Sequence, residues 1–338
     1  MRASKRLALV GLVALSMYLL AAAGFGQRLG LALRARIDAG RMKNVSVSAE
    51  PAPQESAVPV SPSPSPAPAM ESPASAPLAA VMESLPMGEI RETTIQGGLE
   101  IKNETGYAVD TAELLSQGPA LSLPAGEVQI LIIHTHGSEA YTQAGLDRYE
   151  AQDNMRTADT AFNIVRVGDE LAAIFQEAGL GVIHDREIYD YPSYTGSYSR
   201  SGAAAEDYLR RYPGIRVILD VHRDALGADG VIYKTVAEEK GVCASQVMLL
   251  VGTDESGLEH PNWRSNLALA LYLQDRVSQA HPTLMRPVSL VRERYNQHLS
   301  PGSLIIEVGS SGNTLQEALA AIRLFARAAA PALKELAE

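Results

Sequence analysis

From residue 126 onward the chain alternates short aliphatic runs with longer stretches at helical spacing. "VQILIIH" (128–134) is a continuous apolar run, the pattern of a strand covered on both faces. In "TAFNIVRVGDELAAIFQEAG" Ile164, Val167, Leu171 and Ile174 recur at helical spacing, and Gly179 ends the segment. The strand "LGVIH" follows, and "AAAEDYLRRYPG" is a helix stopped by Pro213 and Gly214. "IRVILDVH", "VIYKTV" and "QVMLLVG" are further strands, and "WRSNLALALYLQDRVSQA" is a helix. Strands "VSLVRE" and "SLIIEVG" then precede the helix "NTLQEALAAIRLFARAAAPAL". This alternation predicts an α/β fold: a three-layer sandwich with a mostly parallel sheet of about six strands and helices on both faces. Sites in such sheets lie outside the C-terminal strand ends.

The pattern upstream is different. Residues 7–26, "LALVGLVALSMYLLAAAGFG", carry no charge and follow Arg2, Lys5 and Arg6. About 20 apolar residues suffice to cross a bilayer as a helix. The positive-inside bias puts the N-terminus in the cytoplasm and the rest outside. A cleaved signal peptide is the competing reading, because "AAAG" supplies small residues. A Pro/Ala/Ser-rich stretch then buries too little apolar surface to offset its ordering entropy and serves as a disordered tether. The expected organisation is a cytoplasmic stub (1–6), a transmembrane anchor (7–26), the tether (27–97), a preamble (98–125) and a catalytic domain (126–338).

Charge and cysteine content narrow the chemistry. A formal net charge of -10 and no basic stripe beyond the N-terminus exclude a reader of nucleic-acid backbones. Cys243 is the only cysteine, so neither an intrachain disulfide nor a multi-thiolate metal site can form. A metal here needs imidazole and carboxylate ligands.

Three strands end in such groups. The first runs into His134, Thr135 and His136 with Glu139 close behind, and the third into "DVHRDA", with Asp220, His222, Arg223 and Asp224. The late strand "SLIIEVG" carries Glu307 between Ile306 and Val308. Two imidazoles and a carboxylate with an open fourth position make a hydrolytic zinc site. A further carboxylate that is not a ligand can take the proton of water and pass it to a leaving amine, and Glu307 is placed for that role. His184 and Asp185 lead into a tyrosine-rich loop suited to lining a groove. Asp224 suits orienting His222, and Arg223 suits meeting a peptide carboxylate. "RYNQHLSPGS" offers Arg294, Asn296 and His298 toward substrate, while His260 and His281 receive no role.

"HTHGSEAY", "FNIVRVGDEL", "LDVHRDA", "VGTD" followed by "PNWRSNLALA", and "RYNQHLSPGSLIIEVGSSGNTLQEAL" together resemble the stage II sporulation protein P family, as does the preamble "IKNETGYAVD". The resemblance covers roughly residues 98–330. It implies a plan similar to that of zinc-dependent N-acetylmuramoyl-L-alanine amidases, with one zinc ion. The implied enzyme is a membrane-anchored peptidoglycan hydrolase that removes stem peptides, with peptide cross-links as a second target, during forespore engulfment. The implied partners are stage II sporulation proteins D and M. Its catalytic domain is expected outside the cytoplasm, in the intermembrane space of the sporangium.

Carried over by motif, His136 (followed by Gly137) and His222 are the imidazole ligands, with His134 as an alternative to His136. Glu307 is the catalytic glutamate. The third ligand is expected at the start of the first helix, where counting back from Asn163 gives Asp159; Glu139 and, more weakly, Glu150 compete. A zinc peptidase acting only on wall peptides and a non-catalytic wall-binding scaffold remain as rival readings. A metallophosphatase lacks its aspartate-rich ligand set.

Overall fold

Aliphatic residues at alternate positions decide how the chain layers. The computed structural model describes residues 87–146, 148–150 and 155–337. The expected stub, anchor and most of the tether lie outside the described residues. Among the described residues no helix is long and apolar enough to cross a membrane.

In chain order the strands are β1 (Met87–Thr93), β2 (Ile101–Asn103), β3 (Ile130–Ile133), β4 (Arg148–Glu150), β5 (Val182–His184), β6 (Val217–Asp224), β7 (Gly227–Ala228), β8 (Val231–Thr235), β9 (Ala237–Glu239), β10 (Val242–Ala244), β11 (Val247–Gly252), β12 (Val288–Val291) and β13 (Gly302–Ser310). The α-helices are α1 (Thr111–Gln117), α2 (Ile164–Glu177), α3 (Ser197–Arg211), α4 (Trp263–Ala280) and α5 (Leu315–Lys334).

The central sheet has the order β2-β12-β11-β13-β6-β3-β5. Strands β13, β6, β3 and β5 run parallel, as do β11, β12 and β2, and the two blocks meet antiparallel at β11–β13. The fold is thus mixed α/β, with seven strands where about six were expected and one antiparallel junction.

Two strand expectations change. The run "VIYKTV" becomes β8 and joins a separate sheet, β4-β1-β8-β7. Its parallel partner β1 lies inside the segment expected to be tether, with Glu89 opposite Val231 and Thr93 opposite Thr235. A proline-rich composition upstream obscured this short strand, in which Ile90 is the lone aliphatic between Gly88 and Thr93.

Val217, Leu219 and Val221 of β6, with Leu304, Ile306 and Val308 of β13, belong to the larger core with residues of α2, α4 and α5. Fully burying each such side chain contributes about 1.5–3 kcal/mol. The opposite parity meets α3, where Leu131, Ile133 and Ile218 pack with Ala205. Because side chains alternate across a strand, Asp220, His222 and Glu307 fall on this α3 side.

Helices α2 and α5 are joined across the larger core by a charge cluster. Glu170 accepts two 2.9 Å hydrogen bonds from Arg323 and pairs with Arg166. The Arg323 hydrogen bonds, helped by Arg166 and opposed by burial, hold the Glu170 carboxyl down to about 2. A carboxylate depressed in this way stabilises the fold above its unfolded value of 4.5 and loses that contribution as pH falls toward 2. Glu170→Gln therefore costs about 1 kcal/mol at pH 7, allowing for solvent screening, and almost nothing at pH 2. Urea midpoints at the two pH values check this.

Candidate active site

Residues of one parity and one strand end meet at the α3 side of the sheet. Glu307 of β13 and His222 of β6 are direct parallel neighbours. Ile133, the last residue of β3, is level with Asp220, so the chain leaving β3 enters the same space.

His222 is the centre of this arrangement. Its Nδ1 lies 3.4 Å from Glu139 Oε2 and its Nε2 lies 2.9 Å from Asp220 Oδ1, although the second contact lacks hydrogen-bond alignment. Burial disfavours the imidazolium, but Asp220 and Glu139 outweigh it and raise the His222 pKa well above its ordinary value. Asp220 is itself fixed by Thr135, through the backbone N–H at 2.8 Å and the hydroxyl at 2.6 Å.

Glu139 is 5% exposed. Burial alone would raise its carboxyl, yet His222, Arg223 and Arg156 bring it down to about 2. Its Oε2 accepts the Arg223 N–H at 3.1 Å, and Oε1 lies 3.2 Å from Arg156. His136 completes the group, its ring centroid 5.3 Å from that of His222 and nearly perpendicular to it. Tyr194 stacks on His136 at 4.5 Å, and Tyr198 meets it edge-on at 5.4 Å. His136 Nδ1 is buried with no hydrogen-bond partner.

Glu307 differs from Glu139 in having no cationic clamp. Its Oε2 is buried without a partner. Burial pushes its carboxyl up to about 8, against the pull of His222 and Arg286 and with the help of Asp224 and Glu139. The two carboxyls thus sit on opposite sides of neutrality, Glu139 held ionised and Glu307 able to keep its proton.

The residues expected at the site divide into three groups. His136, Glu139, His222 and Glu307 are brought together. Asp159 is not among them: it is exposed, and its Oδ1 accepts the N–H of Ala161. Glu139 takes the place instead, because residues 139 and 140 bridge antiparallel to Arg156 and Asn163, and Ile164 N–H donates to the Glu139 carbonyl at 2.7 Å. Glu139 is therefore beside the start of α2 in space although not in sequence. Glu150 lies away in β4, opposite Met87.

His134 is fully buried with both nitrogens engaged: Nδ1 donates to the Val221 carbonyl at 2.9 Å, and Nε2 is 2.8 Å from His184 Nε2. Burial, with His184 adding to it, lowers its pKa to about 3 and keeps it neutral. This pair explains Gly168 in α2, where a Cβ would come within 2.5 Å of His134 Nε2 and 2.6 Å of His184 Nε2. Gly168→Ala gains helix propensity but forces the imidazoles apart, for a net loss of about 1–2 kcal/mol. A lowered thermal midpoint checks it, and an unchanged or raised one contradicts it.

Most of the remaining candidates are structural. Arg223 donates to the carbonyls of Ala140 (2.7 Å) and Met155 (3.1 Å), so its guanidinium holds the loop and does not face substrate. Asp224 pairs with Arg286 at 2.8 Å, leaving Asp220 as the carboxylate that orients His222. Asp185 accepts from Tyr189 at 2.5 Å and from the Glu187 N–H. Asn296 donates to Tyr198 O and Ser201 Oγ, tying its loop to α3. Arg294 and His298 line an open groove beside Tyr198. Arg156 and Asp190 were missed: Arg156 reaches Ser138, Asp190 and Glu139 and braces the turn after β3. An arginine 17 residues from its partner carries no periodic signal.

Among the described residues no three His, Cys, Asp or Glu side chains form a ready-made metal cage. The residues present nonetheless suit zinc. Two donors each about 2.0–2.1 Å from a tetrahedral ion stand about 3.4 Å apart, the separation of His222 Nδ1 and Glu139 Oε2. A ligand imidazole normally has a carboxylate at its other nitrogen, as His222 has Asp220.

These features define a mixed α/β protein with a buried imidazole–carboxylate centre at the C-terminal ends of parallel strands. The family model for stage II sporulation protein P (SpoIIP) matches residues 73–330, and the chain belongs to that family. Stage II sporulation protein P of Bacillus subtilis (strain 168) is 25% identical over 265 residues, covering 75% of this chain and 61% of that protein. The chain thus matches about three fifths of that relative's length. Among solved structures, N-acetylmuramoyl-L-alanine amidase AmiC2 of Nostoc punctiforme is similar with TM-score 0.39 and 17% identity, over 62% of this chain and 97% of that one. The CwlD amidase of Clostridioides difficile, solved with the GerS lipoprotein, gives TM-score 0.38 and 13% identity, over 62% and 98%.

Proposed function

We propose that this protein is a zinc-dependent peptidoglycan hydrolase of sporulation that cleaves the amide between N-acetylmuramic acid and L-alanine, with peptide cross-links as a second target. The observation that carries it is the Glu139–His222 pair at 3.4 Å beside the unpartnered carboxyl of Glu307. His136, Glu139 and His222 would hold the ion, with Asp220 behind His222. The chemistry zinc supplies in such a site is activation of water near neutral pH and polarisation of the amide carbonyl.

Glu307 handles the proton. A carboxyl near pH 8 in the free protein holds a proton more readily than an ordinary glutamate, and a pKa near the working pH favours both taking a proton from water and giving it to the leaving amine. Tyr194, stacked on His136, screens the imidazole from bulk water. Family membership supports the sporulation setting, and stage II sporulation proteins D and M are the proposed partners. The apolar segment 7–26 supports a single-pass anchor, N-terminus in the cytoplasm, with the catalytic domain in the intermembrane space of the sporangium.

Chelation tests the metal dependence. Full-length protein in detergent should release soluble fragments from purified wall, stop when a chelator strips its metal, and resume with zinc but not magnesium. Activity that survives complete removal of metal contradicts the reading.

A further inference from the structure

A groove of about 590 Å³ opens beside the candidate centre, between α3 and the segment joining β12 to β13. Tyr198 and Tyr295, whose ring centroids are 5.3 Å apart, stand at its inner end, and Tyr198 also touches His136. The groove therefore begins one aromatic ring away from an imidazole of the centre. Exposed Glu206 and Glu293 stand on its rim, while Arg294 and His298, both half-buried, line its wall.

Among the described residues none of the basic side chains here forms an ion pair, although the charge of Glu206 reaches His298. Arg294 donates Nη1 to the Glu259 carbonyl at 3.1 Å, but its Nε is buried without a partner. His298 Nδ1 is likewise unpartnered. His260, 1% exposed, has no hydrogen bond at either ring nitrogen. Burial, and after it the charges of His298 and Arg294, lower the His260 pKa to about 4, which places the three side chains in one cluster. Four buried nitrogens without partners are costly, because each unsatisfied polar group forfeits about 1–3 kcal/mol. A fold that keeps them together beside an open groove has left room for an acceptor. Nothing in the loop itself supplies one: Asn262 Nδ2 goes to the His298 carbonyl, and Gln297 is consumed by Gly252 and Leu250.

We propose that this groove is the seat of a peptide carboxylate, with Arg294 and His298 binding the acid group, His260 backing them, and Glu206 and Glu293 at the rim meeting an ammonium group of the same peptide. The substrate class is a wall peptide bearing both a free carboxylate and a free amine. This rests on the reading that the centre acts on peptidoglycan. An arginine with an imidazole beside it suits a carboxylate because each hydrogen bond is charge-assisted. The reversed arrangement of signs, acids outside and bases inside, sets the direction in which a zwitterionic residue enters.

Two disaccharide–tripeptide wall fragments test this, one with free carboxylates and one with the same groups as primary amides. Their binding to full-length Glu307→Gln protein in detergent, measured by calorimetry, should favour the free acid about tenfold. Arg294→Gln and His298→Asn should each erase most of that preference, with zinc content unchanged, while Arg294→Lys keeps part of it. In the otherwise unaltered enzyme the two variants should raise KM for the free acid about tenfold and change kcat less than twofold. Equal binding of acid and amide, no binding of either, or a preference that survives Arg294→Gln overturns the subsite. Acid preference without any cleavage by the unaltered enzyme would leave the subsite standing and remove the hydrolase reading. Cleavage without acid preference would do the opposite.

Discussion

Glu307→Gln lowers the rate of wall hydrolysis by about 10²–10⁴-fold, the range of general acid–base catalysis, and leaves bound zinc unchanged. The separation of the two effects follows from the geometry. Glu307 Oε2 has no hydrogen-bond partner, so an amide of the same shape breaks no contact. Folding should not suffer either. A carboxyl raised by burial from 4.5 to about 8 favours the fold when protonated, and that advantage is lost as pH rises through the interval. The stability difference between the metal-stripped protein and its Gln variant should thus shift against the unaltered protein between about pH 5 and 8. Rates on labelled wall, zinc content and urea midpoints give the three readouts. A variant that retains most activity removes Glu307 from the chemistry.

Glu139→Gln and His222→Ala take the zinc content of the full-length protein from about one per chain to near zero, whereas Asp159→Asn leaves it intact. Asp159 is exposed and occupied by its own turn, and Glu139 stands 3.4 Å from His222 Nδ1. Asp220→Asn is the intermediate case. It removes the carboxylate behind His222 without touching the ligand atoms, and such outer partners are worth about 10–100-fold in metal affinity. Removing one member of a buried charge group also destabilises the fold, by about 3–5 kcal/mol where the partner is left uncompensated. Glu139→Gln is the cleaner variant, since His222 keeps Asp220. Loss of zinc in Asp159→Asn with retention in Glu139→Gln would reverse the assignment.

The strand ends were legible because side-chain parity is a strict period of two. Asp220, His222 and Glu307 share one side of the sheet, and the helix Trp263–Ala280 has the bounds its pattern implies. Parity does not separate the two histidines of "HTHG", which stand two residues apart; the end of β3 does. His134 continues the register of Ile130 and Ile132 into the larger core, under Gly168, and so reaches His184. His136 lies past the strand, in the turn, and its ring faces Tyr194 and His222 instead. Deciding between them required knowing where β3 ends, at Ile133.

The placement of Glu139 beside His222 was not legible by counting. Its position beside α2 is set by a bridge between Ala140 and Asn163, a tertiary pairing across 23 residues that leaves no periodic trace. The contacts of Arg223 and Asp224 depart from expectation for a related reason. Adjacent opposite charges suggest a pair with each other or with substrate, whereas the fold offers Arg223 three backbone carbonyls and offers Asp224 the distant Arg286. His260 carried no sequence signal at all, being one histidine beside a proline.

The most direct test of the central claim is a mass spectrum of what zinc-loaded full-length protein releases from purified peptidoglycan. Free stem peptides beginning with L-alanine, absent from the Glu307→Gln digest, are the expected result. Release of uncrosslinked muropeptides still attached to N-acetylmuramic acid, or no release at all with zinc bound, would contradict it.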